Sequence, residues 1–226
     1  MCGRFNVISD PLNRLIVEIT GRGFELEDQF NIAPTEQIPV LIRDDEGDWD
    51  VRNMRWWLVP NWAKEPDQKY AMYNARSENL GRSRAFREPF RERRCIIPAS
   101  GYYEWTREGK AKVPWYIEPA EQDGFAFAGL WDRWRGDDRV IESCTIVTTA
   151  APDSIRNIHD RMPVQLTMDE VARWVHSTAD ADDLTPLLVS SLRMPLRLTP
   201  VSTWVNNARN KDVRAIEPVG ESTIVS

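Results

Sequence analysis

Short apolar runs dominate the pattern of hydrophobic and polar positions, and they predict a chain built mainly from strands. Most runs have the length of one strand and end near Gly, Pro, Asn or Asp residues, which favour turns. A longer segment, residues 60–94, is rich in Pro, Asn and Arg and is predicted to be a loop region. Strands are predicted at residues 39–43, 51–59, 94–98, 101–106, 113–117, 125–133, 143–149 and 196–201.

Helical periodicity is confined to a few segments. Apolar residues at helical spacing between Ser9 and Gly21 predict an amphipathic helix that ends at the glycine. Thr167 and Glu170 have the spacing of a capping box, which predicts a helix through His176. Shorter helices are predicted at residues 83–86 and from residue 185, where Thr-Pro favours a helix start.

Many short strands with a few helices favour an α+β fold. We expect mostly antiparallel β-sheets that form a barrel-like or sandwich-like core with peripheral helices. The chain has 226 residues, of which 42% are hydrophobic, so we expect one domain over residues 1–226. The end of the chain, around Gly220–Thr223, is predicted to be a short disordered stub.

The cysteine pattern and the apolar segments bear on compartment and metal content. The chain has 3 cysteines, far apart and without a Cys-x-x-Cys pair, which argues against a disulfide framework and a structural zinc site. No basic segment leads into an apolar run at the N-terminus, and no apolar stretch is long enough for a bilayer. We therefore expect a cytoplasmic protein with no membrane contact, no metal and no cofactor.

Charge is distributed unevenly along the chain. The formal net charge is −6, which argues against a nucleic-acid partner. Between Arg76 and Arg94, however, seven arginines face only three acids, so the segment carries a local charge of +4. Together with 10 tryptophans, this pattern is typical of proteins that bind single-stranded nucleic acid through cations and stacking aromatics. A salt-bridged, solvated surface is the alternative for such a charged segment.

Cys2 follows the initiator Met directly and is the strongest candidate for chemistry. If an aminopeptidase removes Met1, the chain begins with a cysteine whose α-amine and thiol are two carbons apart. The α-amine has an ordinary pKa of about 7.7–8.0, so part of it is nucleophilic at neutral pH. An aldehyde that meets this aminothiol can form a Schiff base and then close to a five-membered thiazolidine.

Two further residues are candidates for proton transfer. Glu104 lies between aromatic residues in a predicted strand, where burial would raise its pKa and suit it to imine chemistry. His159 precedes an Asp and an Arg where a helix is expected to give way to a loop. The alternatives are that Glu104 is an exposed strand residue and that His159 makes a structural hydrogen bond. His176 is interpreted as a surface or capping residue.

Five separated motifs occur in one order along the chain. They are Met-Cys-Gly-Arg-Phe at 1–5, Asn-Ile-Ala-Pro at 31–34, Asn-Ala-Arg-Ser-Glu at 74–78, Gly-Tyr-Tyr-Glu-Trp at 101–105 and Ile-His-Asp-Arg-Met-Pro at 158–163. With an Asn-rich segment at 205–210, the set resembles the SRAP family (SOS response-associated peptidase domain).

The resemblance implies a protein that senses abasic sites in single-stranded DNA and crosslinks to them through the N-terminal cysteine. The resulting thiazolidine shields the lesion, and a peptidase-like self-processing that removes Met1 is also implied. We expect a monomer that associates with the nucleoid when bound to DNA. The implied roles are nucleophile for Cys2, positioning for Asn74, proton shuttling for Glu104, acid–base assistance for His159, phosphate contacts for Arg4, Arg76 and Arg84, and DNA contacts for Pro34, Trp62 and Phe86.

Three other functions are compatible with parts of the sequence. Class II glutamine amidotransferases and other N-terminal-nucleophile hydrolases also begin Met-Cys-Gly. They typically use an Asn-Gly pair for an oxyanion hole, and the chain has no Asn-Gly dipeptide. A non-covalent module for single-stranded DNA would make Cys2 incidental. A thiol protease would use Cys2 and His159, but the sequence reveals no extended substrate groove.

Overall fold

Strands account for most of the regular structure in the computed structural model. The structure describes residues 2–66, 70–109, 111–136, 138–176, 179 and 181–226. The strands are β1 (Phe5–Val7), β2 (Gln29–Ile32), β3 (Gln37–Arg43), β4 (Trp49–Trp56), β5 (Asn74–Arg76), β6 (Arg94–Ala99), β7 (Gly101–Glu108), β8 (Ala111–Pro119), β9 (Phe125–Arg135), β10 (Val140–Ala150), β11 (Arg161–Pro163), β12 (Gln165–Leu166), β13 (Leu196–Pro200) and β14 (Thr223–Val225).

The described strands pair into two sheets. The first has the order β14-β13-β8-β7-β1-β2, and the second runs β11-β10-β4-β3-β6-β9-β12 with β5 attached to β10. Most pairs are antiparallel, as in hairpins and meanders, but β10 pairs in parallel with β4 and β5. Strand β10 therefore carries β5 at one edge and β11 at the other, a point on which the functional site depends.

Helices lie around the sheets and are short. They are α1 (Ser9–Thr20), α2 (Arg87–Glu92), α3 (Asp153–Arg156), α4 (Met168–Val175) and α5 (Ala181–Leu184). Helix α1 ends where Gly21 adopts a positive φ of 77° and donates its N–H to Val17, as the sequence predicts. The predicted capping box is present at α4, where Thr167 and Glu170 each accept the other's backbone N–H.

Aromatic side chains from both sheets meet in the main hydrophobic core. Phe5 of β1 and Trp56 of β4 pack edge to face, with ring centroids 4.9 Å apart. Tyr102 of β7 contacts Phe127 of β9, with centroids 5.9 Å apart. Such contacts add roughly 0.5–1.5 kcal/mol per pair beyond the burial of apolar area. This packing of mostly antiparallel sheets, with helices outside them, confirms the predicted α+β class.

Three local expectations are wrong. The predicted helix at 83–86 is a series of turns, and α2 begins at residue 87. The region taken as loop between 60 and 94 contains β5, which forms because β10 offers it a parallel partner. The predicted disordered stub at residues 220–223 is ordered: the Ser222 hydroxyl lies 2.8 Å from that of Thr199, and Thr223 begins β14, which pairs with β13.

Asn31 ties the start of the chain to its C-terminal segment. Its backbone has φ 57°, a left-handed conformation that asparagine tolerates better than most residues. The side-chain amide lies 2.9–3.2 Å from the carbonyl oxygens of Val205, Asn207 and Asn210, and its oxygen accepts a 2.7 Å bond from Arg4. Residue 4, two positions from Cys2, is therefore held in place by contacts far along the sequence.

We expect Asn31→Ala to destabilise the fold by about 2–4 kcal/mol, because it leaves carbonyl groups without donors and puts alanine, which tolerates a left-handed backbone less well than asparagine, at φ 57°. Urea unfolding of the variant beside wild type measures this loss. Asn53→Ala, at an exposed position of β4, serves as the control and should stay within about 0.5 kcal/mol of wild type. Equal stability of the two variants would contradict this account of Asn31.

Candidate active site

Cys2 lies just before β1 and is fully buried between the sheets. Asn74, the first residue of β5, donates a 2.7 Å hydrogen bond from Nδ2 to the Cys2 carbonyl oxygen. The Cys2 thiol lies 3.7 Å from the carbonyl oxygen of Arg4, close enough for a weak S–H hydrogen bond. The Asn74 Oδ1 atom is buried and accepts no hydrogen bond from the described residues, so it offers a free acceptor beside Cys2.

Glu104 is brought to Cys2 by the pairing of β1 with β7. Phe5 pairs with Tyr102 and Asn6 with Gly101, and the same register continued places Gly3 opposite Glu104. Glu104 is 4% exposed, so the alternative of an exposed strand residue is wrong.

Burial raises the pKa of Glu104 to about 7, well above its ordinary value of 4.5. Burial and the nearby Glu104 carboxylate also raise the pKa of the Cys2 thiol. The thiol is therefore protonated at neutral pH, next to a carboxyl group that can exchange protons in the same range.

His159 lies in the turn between α3 and β11. Its Nδ1 accepts the backbone N–H of Arg161 at 3.0 Å, which places the proton of the neutral ring on Nε2. Burial lowers the pKa of His159, so the ring is neutral at pH 7. Asp160 Oδ1 lies 2.9 Å from Nδ1, a contact that becomes attractive only when the ring is protonated; the Asp160 side chain is 81% exposed. The structural hydrogen bond weighed as the alternative for His159 is therefore present.

Strand β10 gathers the polar residues of the site. Ile146 pairs with Asn74 on one edge, and Ala150 pairs with Arg161 on the other. Arg161 Nη2 donates to Glu78 at 3.0 Å and to the Thr148 carbonyl oxygen at 2.6 Å. Arg161 has no role among the expectations drawn from the sequence, although it belongs to the motif at 158–163. The structure shows it as a mostly buried cation held beside the site.

The predicted phosphate-binding arginines differ in their surroundings. Arg76 is exposed, and its guanidinium group has no hydrogen-bond or ion-pair partner within the described part of the chain. Arg84 stacks its guanidinium 4.0 Å over the ring of Trp62, which is 45% exposed. Arg4 is half-buried, and its Nη1 is committed to Asn31 and to the Val205 carbonyl oxygen.

Much of the predicted basic segment is structural. Arg94 donates to four backbone carbonyl oxygens, including that of Trp174, and is buried. Arg91 and Arg93 form ion pairs with Glu92, and Arg93 also with Glu88. The salt-bridged alternative therefore holds for the end of the segment, while Arg76 and Arg84 remain available to a ligand.

The other two predicted DNA contacts lie at the surface in different settings. Phe86 is partly buried against the core cluster that contains Trp174 and Phe90. Pro34 lies in the turn after β2, next to Thr35, whose φ is 84°. A cavity of about 270 Å³ opens beside Trp62 and is lined partly by Leu58 and Met72.

No cluster of three or more His, Cys, Asp or Glu side chains suited to a metal ion occurs among the residues that the structure describes. No described helix is long and apolar enough to cross a membrane.

Comparison with known proteins decides the family. A sequence model of the family described as SOS response associated peptidase (SRAP) matches residues 1–208. The chain belongs to the SRAP family. The abasic site processing protein YoqW of Bacillus subtilis is 36% identical over 223 residues, covering 96% of this chain and 99% of that protein. The abasic site processing protein HMCES of Xenopus tropicalis is 32% identical and covers 84% of this chain and 66% of its own length.

Solved structures share the fold of this chain. A protein from Bacteroides thetaiotaomicron superposes with a TM-score of 0.83 at 24% identity, covering 96% of this chain and 100% of that chain. A protein from Bordetella bronchiseptica superposes with a TM-score of 0.76 at 25% identity, covering 89% and 100%. The sheet arrangement described above is therefore shared beyond close sequence relatives.

The raised pKa of Glu104 predicts how stability changes with pH. Between pH 4.5 and about 7 the folded chain keeps a proton that the unfolded chain has released, so stability falls as pH rises. Because glutamine does not titrate, we expect Glu104→Gln to be more stable than wild type by about 3 kcal/mol at pH 8, and similar to it at pH 4.

Urea unfolding at the two pH values measures this difference. Glu121→Gln, at an exposed position, is the matched control and should follow wild type at both pH values. A Glu104→Gln variant that is equally or less stable than wild type at pH 8 would contradict the raised pKa.

Proposed function

We propose that this SRAP protein senses abasic sites in single-stranded DNA and joins them covalently through Cys2 after removal of Met1. The observation that carries the proposal is the contact of Cys2 with Asn74 beside a buried carboxyl group whose pKa is about 7. Relatives that carry the name abasic site processing protein support the choice of lesion. The ring-opened abasic sugar supplies the aldehyde that an aminothiol requires.

The covalent chemistry begins with the freed α-amine of Cys2. Its nitrogen attacks the aldehyde carbon and forms a C–N bond, giving a carbinolamine. Loss of the carbinol oxygen as water gives an imine, for which an acid must donate a proton to the leaving oxygen. The Cys2 sulfur then adds to the imine carbon while the nitrogen takes a proton. The five-membered thiazolidine forms with net loss of one water and with no oxidant or reductant.

Glu104 suits the proton transfers because both of its forms are populated near pH 7. As the acid it can protonate the carbinol oxygen, and as the base it can take the proton of the buried Cys2 thiol. That thiol has a raised pKa and therefore needs a base before sulfur attacks. His159, neutral with its proton on Nε2, is the second candidate for proton transfer.

Asn74 positions the reacting group instead of reacting itself. Its Nδ2 holds the Cys2 carbonyl, and its unpaired Oδ1 can accept a hydrogen bond from the amine or a sugar hydroxyl. Alignment of amine, thiol and aldehyde in one site can lower the barrier by several kcal/mol, up to about 7–11 in ideal cases. This alignment distinguishes the site from free cysteine, which also condenses with aldehydes.

DNA would reach the site through the exposed cations and aromatics. Arg76 follows Asn74 on β5 by two residues and is free to bind a phosphate. Arg84 and Trp62 form a stacked cation–aromatic pair next to the 270 Å³ cavity, a setting suited to an unpaired base and its phosphate. Because an abasic site has no base to read, the affinity should come mainly from phosphate contacts and fall with salt.

The test uses a single-stranded oligonucleotide with one abasic aldehyde and protein whose intact mass shows that Met1 is absent. We expect a heat-stable band on a denaturing gel without any reductant. Cys2→Ser is the matched variant, because it keeps the free amine and loses only the thiol. It should give no stable band alone, but a band when borohydride reduces the imine.

Two results would overturn the proposal. The first is the absence of a band from Met1-free wild type, which would favour non-covalent DNA binding. The second is an equally stable band from Cys2→Ser without reductant, which would show that the thiol plays no part. Turnover of free glutamine by wild type would favour an N-terminal-nucleophile hydrolase.

A further inference from the structure

Asp132 is a buried carboxyl group that the chemistry at Cys2 does not use. It lies on β9, is 2% exposed, and has buried apolar residues such as Leu130 and Trp134 near it along the strand. Burying a carboxylate is costly unless hydrogen bonds and an opposite charge replace the lost water. The contacts that replace water around Asp132 show which segments of the chain it holds together.

The Asp132 carboxylate binds three groups. Its Oδ2 accepts the backbone N–H of Asn61 at 2.8 Å, and its Oδ1 accepts the N–H of Arg133 at 2.8 Å. The Nε atom of Arg93 lies 3.2 Å from Oδ1, within ion-pair distance. Asp132 therefore joins β9 to the loop after β4 and to the end of α2.

Glu88 extends this network towards the surface. Its Oε1 accepts bonds from Arg93 Nη2 at 2.8 Å and from Asn61 Nδ2 at 3.1 Å. Asp132 on β9 thus holds the backbone N–H of Asn61, and Glu88 on α2 holds its side chain. The start of the region between residues 60 and 94, at Asn61, and its end, at Arg93, therefore both contact the buried carboxylate of Asp132.

The residue that this network presents is Trp62, next to Asn61 in the chain. Its Nε1 donates to the Arg84 carbonyl oxygen at 3.3 Å, and the Arg84 guanidinium covers the ring. The flanking backbone is fixed as well, since Ser143 accepts the N–H of Val59 and Trp134 donates to the Ala63 carbonyl oxygen. The exposed indole therefore stands on a well-held segment that has Asp132 as its buried charged anchor and Glu88 as its more exposed one.

We propose that Asp132 is a positioning residue that holds Trp62 and Arg84 in the orientation in which they receive single-stranded DNA. This inference rests on the proposed function. It separates binding from chemistry, because Cys2 is held by other elements, namely Asn74 on β5 and the pairing of β1 with β7. Loss of Asp132 should weaken DNA binding and leave the chemistry of bound DNA unchanged.

The experiment is a double-mutant cycle with Asp132→Asn, Trp62→Ala and the double variant. Equilibrium binding is measured on single-stranded DNA that carries tetrahydrofuran, an abasic analogue without an aldehyde. We expect Asp132→Asn to weaken binding about tenfold, the size of one lost stacking contact. In the Trp62→Ala background the same change should cost less than about twofold, because the two residues act through one contact.

A second measurement is the crosslinking rate at saturating abasic DNA, which should stay within about twofold of wild type for Asp132→Asn. Asp123→Asn, which removes an exposed ion pair with Arg14, is the matched control and should change neither quantity. If Asp132→Asn does not fold, Glu88→Gln tests the exposed end of the network and should weaken binding in the same Trp62-dependent way.

Three results would overturn the inference. They are unchanged binding by Asp132→Asn, equal weakening with and without Trp62, and a fall in the saturating crosslinking rate that matches the loss of binding. If wild type binds the analogue but forms no crosslink with the aldehyde, the proposed crosslinking fails, while the binding cycle still decides the role of Asp132.

Discussion

The site depends on the burial of a carboxyl group beside a thiol where the two sheets meet. Glu104 comes from β7 of the first sheet, and the Asn74 that holds Cys2 comes from β5 of the second. Water is excluded from this junction by the same aromatic packing that forms the core, and that exclusion moves the pKa of Glu104 towards 7. The burial of side chains that stabilises the core therefore also raises the pKa of Glu104. Keeping that carboxyl group buried lowers the stability of the fold above neutral pH.

Residues with local signals were the ones that the sequence could predict. Gly21, the Thr167 capping box and most strands follow from spacing and composition, and Cys2 stands out by its position alone. Glu104 needed the motif resemblance or the structure, because a carboxyl group between aromatics in a strand is buried only if a second layer covers it. In this chain β1 and the core residues supply that layer.

Features that depend on distant partners escaped prediction. Strand β5 has three residues and exists because β10 lies beside it, and β14 forms because β13 has an open edge. Which arginines of the basic segment are structural depends on their partners in the fold. Examples are Glu88, which pairs with Arg93, and the backbone carbonyl groups around Arg94. No sequence pattern marks Asp132, because its role depends on a hydrogen bond from Asn61 and an ion pair with Arg93, which are distant along the chain.

The most direct test of the central claim is the intact mass of the crosslinked species, formed without reductant from wild-type protein and abasic single-stranded DNA. The account predicts the mass of the Met1-free chain plus the DNA minus one water, with a blocked Cys2 thiol and a blocked α-amine. A thiazolidine requires both atoms of Cys2. An adduct that retains a free thiol or a free α-amine, or that forms on a chain retaining Met1, would contradict the account.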